Sequence, residues 1–193
     1  MKNFKKLSQN KKLIILDFDG VIAKLPVDWP SCREEFKIFL KKELGLEINE
    51  NKRVDEMESI LVEKFGQSTL TKSFEIRKKF EFIDFSKTKI NQELLTYLTD
   101  LKKQGIIVTI LSNNLHKTIE EILKLNNLND LFDIIIGIDD SLNPKPSPKG
   151  ARIILDRFNL APKDCLFVGD SPSVDGETAK NLAMDYVNLN PFK

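Results

Sequence analysis

Leu13-Ile14-Ile15-Leu16-Asp17-Phe18-Asp19-Gly20-Val21-Ile22 is the stretch that decides the fold. Its four consecutive apolar residues suit a short strand covered on both faces, as in parallel sheets. Two carboxylates follow, with one residue between them. In extended backbone, residues i and i+2 point the same way, which predicts that Asp17 and Asp19 face one small space. Gly20 then lets the chain turn sharply. Two like charges this close repel, so either one is protonated or a cation holds both. Both arrangements suit phosphate chemistry. An ionised Asp can attack phosphorus while its neighbour shuttles a proton, and Mg²⁺ takes carboxylate, carbonyl and water oxygens. A lone Asp-x-Asp after a strand is also an ordinary capped turn, so the rest of the chain has to decide.

Downstream of Ile22, Leu25-Pro26-Val27-Asp28-Trp29-Pro30 reads as an irregular connection broken by prolines. Ser31-Cys32-Arg33-Glu34 has the form of a capping box and opens a helix carrying Phe36, Phe39, Leu40 and Leu44, with Gly45 as its stop. A second helix is expected from Lys52 to Phe65, with Met57, Ile60 and Leu61 in its stripe. A third starts near Thr71 and carries Phe74, Ile76 and Phe80. Residues 25–85 therefore read as all helix.

The rhythm then changes to strand alternating with helix. A helix over Gln92–Gln104 stops at Gly105, and a strand over Ile106–Leu111 runs into Ser112-Asn113-Asn114. A helix over Thr118–Leu125, a strand over Ile134–Ile136 and a helix over Ser147–Phe158 come next. A strand over Cys165–Val168 leads into Gly169-Asp170-Ser171. A helix over Gly176–Met184 and a short strand over Tyr186–Leu189 close the chain. This order predicts an α/β fold: a Rossmann-like parallel sheet with helices on both faces, plus a small all-helical cap inserted after the first strand. The expected division is an α/β core over 11–24 and 86–193, a helical cap over 25–85 and a polar N-terminal tail over 1–10, disordered in its first few residues.

Charge and composition narrow the function classes. The 193 residues carry 30 Lys+Arg against 29 Asp+Glu, a formal net charge of +1, which gives no case for nucleic acid or an anionic membrane as partner. With 41% hydrophobic residues the chain can bury a proper core. Cys32 and Cys165 form no C-x-x-C pair and no zinc-type cluster, so reduced thiols and a cytoplasmic setting are expected. Met1–Lys12 lacks the apolar middle of a signal peptide, and no run is long enough to span a bilayer.

In open parallel sheets, ligands bind beyond the C-terminal ends of the strands. The polar candidates collect there. Ser112 offers a hydroxyl to a phosphate oxygen, with Asn113 and nearby amides beside it, or it caps the next helix. Lys145 sits between two prolines in Asn143-Pro144-Lys145-Pro146 and suits neutralising a phosphoryl group, with Lys149 as its competitor. Asp170 and Asp175 follow the Cys165–Val168 strand, and Asp175 also fits a simple N-cap. Several carboxylates at one sheet edge repel unless a cation joins them, and Mg²⁺ is the physical solution.

These residues resemble the haloacid dehalogenase-like hydrolase superfamily, in its phosphatase branch with a helical cap. The matching stretches are Asp17-Phe18-Asp19-Gly20-Val21, Leu111-Ser112-Asn113, Lys145-Pro146-Ser147-Pro148 and Val168-Gly169-Asp170-Ser171 with Asp175. The resemblance implies that Asp17 is the nucleophile, that Asp19 is the acid/base, and that Ser112 and Lys145 hold the phosphoryl group beside Gly20 and Asn113. It also implies that Asp17, Asp19 through its main-chain carbonyl, Asp170 and Asp175 surround Mg²⁺, with Asp175 as a ligand or a support. The implied activity is Mg²⁺-dependent hydrolysis of a small phosphorylated metabolite. Phosphoglycolate, sugar phosphates and nucleotides all remain open as substrates. Asp19 argues against alkyl halides, because the dehalogenase members lack it. The rival readings are a sugar-phosphate mutase of the same fold, a receiver-like signalling module and a silenced phosphate-binding protein. The block over 25–85 is short for a cap of this kind. Its Trp29, Arg33, Arg53, Arg77 and Lys78 read as packing or solvated charge more readily than as substrate contacts, and His116 reads as a surface residue at a helix start.

Overall fold

The strand Leu13–Leu16 (β1) lies at the centre of the sheet, and all four of its side chains are buried. Alternation sends Ile14 and Leu16 into one apolar cluster and Leu13 and Ile15 into another. That is the reason the run is apolar without a break: it has no solvent face. In the computed structural model, which describes residues 1–48, 51–82 and 84–192, β1 is flanked by parallel strands on both sides. Lys193, the end of the expected core, lies outside the described residues.

In chain order the elements are helix α1 (Lys2–Ser8), β1, strand β2 (Ala23–Lys24), helices α2 (Trp29–Leu44), α3 (Val54–Phe65) and α4 (Leu70–Glu81), and strand β3 (Lys89–Ile90). Then come α5 (Gln92–Lys103), β4 (Ile107–Leu111), α6 (His116–Leu125), β5 (Ile134–Ile136), α7 (Ile138–Ser141), α8 (Lys149–Phe158), β6 (Cys165–Gly169), α9 (Glu177–Lys180) and β7 (Asp185–Asn188). The five-stranded sheet has the order β5-β4-β1-β6-β7, and every pairing in it is parallel. One face is covered by α5 and α6 through Leu94, Leu98, Ile119 and Ile122. The other is covered by α8 and α9 through Ala151, Ile154 and Ala179. No helix among the described residues is long and apolar enough to cross a membrane.

The chain departs from the sequence expectations in several places, each with a local cause. The N-terminal segment is not a disordered tail. It forms α1, whose Phe4 is fully buried and packs edge-on against Tyr97 of α5 at 5.3 Å, while Ser8 Oγ lies 2.7 Å from the Tyr97 hydroxyl. Helix α2 begins before the expected Ser31. Asp28 is its N-cap, accepting from Ser31 N at 3.1 Å and from Ser31 Oγ at 2.6 Å, and Pro30 occupies the first turn. Gly45 ends α2 in the left-handed region at φ 61°, as its place after the apolar stripe predicts. The expected helix over Gly176–Met184 is only α9. A wide turn over Pro172–Gly176, with Gly176 N bonding back to Ser171 O at 3.3 Å, replaces its beginning.

Helices α2, α3 and α4 share their own apolar cluster of Cys32, Phe36, Leu40, Val54, Met57, Leu61 and Ile76. Beside it, Arg77 is buried between two glutamates. It lies 2.6 Å from Glu58 and 3.0 Å from Glu81. Ser73 donates to the same Glu58. The helical unit leaves and rejoins the sheet domain at the short antiparallel pair β2–β3, where Ala23 faces Ile90.

The docking of α1 makes a direct prediction. Phe4→Ala removes a fully buried ring, and the loss is expected to be about 3–5 kcal/mol of unfolding free energy. Urea unfolding measures it, and an unchanged midpoint would show that α1 does not pack on the sheet domain.

Candidate active site

Strands β1, β4 and β6 are neighbours in the sheet, and all three end at the same edge. From β1 the chain continues to β4 and β5 on one side and later to β6 and β7 on the other, so the C-terminal end of β1 lies where the winding reverses. Asp17, Ser112 and Asp170 are each the residue that directly follows one of these strands. The chain turns straight after Leu16, because Phe18 O accepts from Ile22 N and Ala23 N, each at 3.0 Å. Asp17 and Asp19 are therefore not on one extended segment, although both line the same cavity of about 280 Å³.

Lys145 is the centre of the site. Its side chain is 3% exposed, and its ammonium lies 2.8 Å from Asp17 Oδ1 and 2.6 Å from Asp175 Oδ1. Burial works against the lysine's charge, but the two carboxylates outweigh it and raise its pKa. Burial pushes the Asp17 carboxyl up to about 7; Lys145 opposes that rise, and Asp175 adds to it. Asp17 also accepts from Phe18 N at 2.7 Å, and Asp175 accepts from Ser171 N at 3.1 Å.

Carboxylate oxygens of Asp17, Asp170 and Asp175 all come within 4.8 Å of one another. This set of hard oxygen donors on buried or half-buried acids fits a small divalent cation such as Mg²⁺. The backbone lets the acids come this close. Gly20 turns at φ +91°, and a side chain there would collide with the Asp170 carboxylate. A side chain at Gly169 would collide with Asp175.

The Asp19 carboxylate lies outside this triangle. Its Oδ1 accepts from Leu25 N at 3.0 Å and its Oδ2 from Trp29 Nε1 at 3.4 Å. Burial raises its pKa, while the Leu25 N–H, Lys24 and Trp29 pull the other way. A carboxyl whose pKa burial raises, at the mouth of the helical unit, suits proton donation.

Ser112 lines the cavity. Its hydroxyl donates to Asn114 Oδ1 at 3.0 Å and accepts from Asn114 N at 3.2 Å. Asn113 also lines it, but its side-chain amide is engaged in protein bonds. It accepts from Lys145 N at 2.8 Å and donates to Lys145 O at 3.2 Å and to Asp55 Oδ2 at 3.1 Å. Asn113 thereby pins the backbone of Lys145. Lys149, the rival to Lys145, is the first residue of α8 and does not line the cavity. His116 starts α6, pairs with Asp140 at 2.7 Å and is likewise outside.

The helical unit closes the other side of the cavity. Trp29, Arg33, Arg53 and Arg77 line it, and Lys78 does not. Sequence reasoning missed Asp55, which lines the cavity and holds Asn113, and Glu81, whose Oε2 accepts from Leu115 N at 3.0 Å. Arg53 Nη1 reaches Ser171 Oγ at 3.5 Å. These residues carry no strand-end signal, and only the packing of α3 and α4 against the sheet edge reveals them.

Comparisons with known proteins identify the family and the fold. Residues 14–189 match the model of the haloacid dehalogenase-like hydrolases. Pyrophosphatase PpaX of Bacillus velezensis is 35% identical over 74 residues, which cover 38% of this chain and 34% of that protein. The match thus spans about a third of that curated relative's length. A haloacid dehalogenase-like hydrolase from Bacteroides fragilis superposes with a TM-score of 0.68 at 28% identity, over 92% of this chain and 87% of the other. A protein described as a phosphoglycolate phosphatase, from Haemophilus somnus, superposes with a TM-score of 0.61 at 22% identity, over 94% and 86% of the two chains, a likeness of fold. Because the family match begins inside β1 and ends just past β7, taking in the whole sheet and the helical unit between, the chain belongs to the haloacid dehalogenase-like hydrolase family.

Proposed function

We propose that this protein is a Mg²⁺-dependent phosphatase that hydrolyses a small phosphomonoester through an aspartyl-phosphate on Asp17. The observation that carries the reading is the Lys145 ammonium held between Asp17 and Asp175, with Asp170 completing a triangle of acidic oxygens. The pyrophosphatase relative fits the same chemistry. Residues 11–24 and 86–193 act as the catalytic core, and 25–85 act as a cap over it.

Asp17, Asp170 and Asp175, with the main-chain carbonyl of Asp19, would hold Mg²⁺. Bound there, the ion would supply charge neutralisation and polarise a phosphoryl oxygen. An Asp17 Oδ atom attacks phosphorus, and the bond from phosphorus to the ester oxygen breaks. Asp19 gives its proton to that leaving oxygen, so a neutral alcohol departs. Asp19, now a carboxylate, takes a proton from water as the water oxygen attacks phosphorus. The Asp17–phosphorus bond breaks, inorganic phosphate leaves, and both acids return to their starting states. Lys145 and Ser112 hold the phosphoryl oxygens throughout, and the fixed ammonium stabilises charge without reorganising. The cap excludes water other than the attacking molecule.

Two experiments test this. Wild type with Mg²⁺ is expected to release inorganic phosphate from small phosphate esters, and Asp17→Asn to lose at least about a thousandfold in kcat. Mg²⁺ at about 100 times its Kd should also stabilise the wild type by about 2.7 kcal/mol in thermal unfolding, and Asp170→Asn should lose most of that gain. Turnover by Asp17→Asn at the wild-type rate would exclude the nucleophile, and equal stabilisation of both proteins would exclude the ion site.

The contact from Trp29 to Asp19 gives a third test. Trp29→Phe keeps the ring but removes the N–H that orients the acid. Its kcat is expected to fall about tenfold for alkyl phosphates, whose leaving oxygen needs a proton, and far less for p-nitrophenyl phosphate. Equal losses on both would mean that Trp29 does not orient the acid.

A further inference from the structure

Four cationic side chains line the catalytic cavity, and three of them are matched by carboxylates. Lys145 holds Asp17 and Asp175. Arg77 holds Glu58 and Glu81. Arg53 lies 3.2 Å from Asp55 and 3.9 Å from Glu56. The fourth is Arg33. It is half-buried in the cavity wall and has no carboxylate in ion-pairing distance among the described residues. A guanidinium in that position has lost part of its hydration without gaining a counter-charge.

Helix geometry sets where Arg33 points its charge. Trp29 and Arg33 are four residues apart on α2 and share one face, and both line the cavity. Trp29 touches Asp19, which in the reaction proposed above marks the side of the leaving oxygen. Arg33 lies one helical turn further on, a rise of about 5–6 Å. Whatever it meets therefore belongs to the leaving half of the substrate, a few bonds from the ester oxygen.

We propose that Arg33 is a specificity-determining residue that binds a second anionic group on the leaving half of the substrate, a carboxylate or a second phosphate joined to the ester oxygen by a short spacer. The guanidinium presents paired N–H donors that match either group. The inference rests on the phosphatase reading for its orientation, and it adds the charge of the leaving group, which that reading leaves open.

The test compares carboxymethyl phosphate with ethyl phosphate, which are close in size and differ in the second charge, and adds ethylene glycol bisphosphate as the phosphate arm. In the full chain with Mg²⁺, kcat/KM for one of the two doubly anionic substrates is expected to exceed that for ethyl phosphate by about 30-fold. That ratio should fall below about threefold in Arg33→Met, which keeps the apolar stem, and lie between in Arg33→Lys. Which substrate shows the preference tells carboxylate from phosphate. A wild type with no preference, or a ratio that survives in Arg33→Met, overturns the proposal.

A binding measurement keeps the two readings separable. Trp29 is the single tryptophan of the chain and shares the face of Arg33, so its fluorescence reports occupancy in the non-hydrolysing Asp17→Asn protein. Tighter binding of the doubly anionic ligand than of ethyl phosphate, lost on adding Arg33→Met, supports the role of Arg33 even if no ester is hydrolysed. Equal binding of both ligands refutes it even if hydrolysis is observed.

Discussion

One buried ammonium governs the geometry of this protein's site. Lys145 lies between Asp17 and Asp175, almost without solvent, and each contact is at hydrogen-bonding distance. Isolated acids would not remain ionised in such surroundings. The lysine stabilises them, and they in turn overcome the cost of burying its charge. Breaking such a pair by removing one member costs several kcal/mol, because the other is left buried and unmatched. The backbone of Lys145 is fixed as firmly as its head, through the paired bonds to the Asn113 amide. Three segments far apart in sequence thus meet at one nitrogen atom. The close approach of carboxylate oxygens from Asp17, Asp170 and Asp175 is what makes the site suited to a divalent cation.

The sheet brings these segments together. A central strand with a parallel neighbour on each side delivers three strand ends to one edge, and the residue after each end bears a catalytic candidate. The helical unit supplies what the edge lacks. It contributes an indole that holds Asp19, a carboxylate that holds Asn113 and a glutamate that holds the Leu115 amide. Its buried Arg77 lies 5.5 Å from the Trp29 ring centre and is gripped by Glu58 and Glu81, so the indole rests on a rigid support. Each of these contacts ties a helix of the insertion to a loop of the sheet edge.

Much of this was legible in the residues, for identifiable reasons. The unbroken run Leu13–Leu16 has only one structural use, a strand covered on both faces, and the alternating order of later strands and helices fixed the parallel sheet. Lys145 stood out from the other lysines through its flanking prolines, and Asp170 through its place at a strand end. What stayed hidden depends on tertiary contact. The Lys-rich segment before β1 offers only Met1, Phe4 and Leu7 as apolar signals, too few to mark a helix, yet Phe4 finds Tyr97. The start of α2 was misplaced because Ser31 and Glu34 imitate a capping box, whereas Asp28 performs the capping. Arg33, Arg53 and Arg77 look like surface charges in a chain with this many basic residues. Only the packing of the insertion shows that they line the cavity, and that Arg77 is fully enclosed. The β2–β3 pair is too short for any periodicity to mark.

The central claim is that Asp17 itself carries the phosphoryl group during turnover. Rapid acid quench of the enzyme with substrate and Mg²⁺, followed by mass spectrometry of the peptide containing Asp17, tests this most directly. The account predicts a phosphoryl adduct on Asp17 that appears and decays within the turnover time. Sustained release of phosphate with no adduct at Asp17, or with the adduct on a different residue, would contradict it.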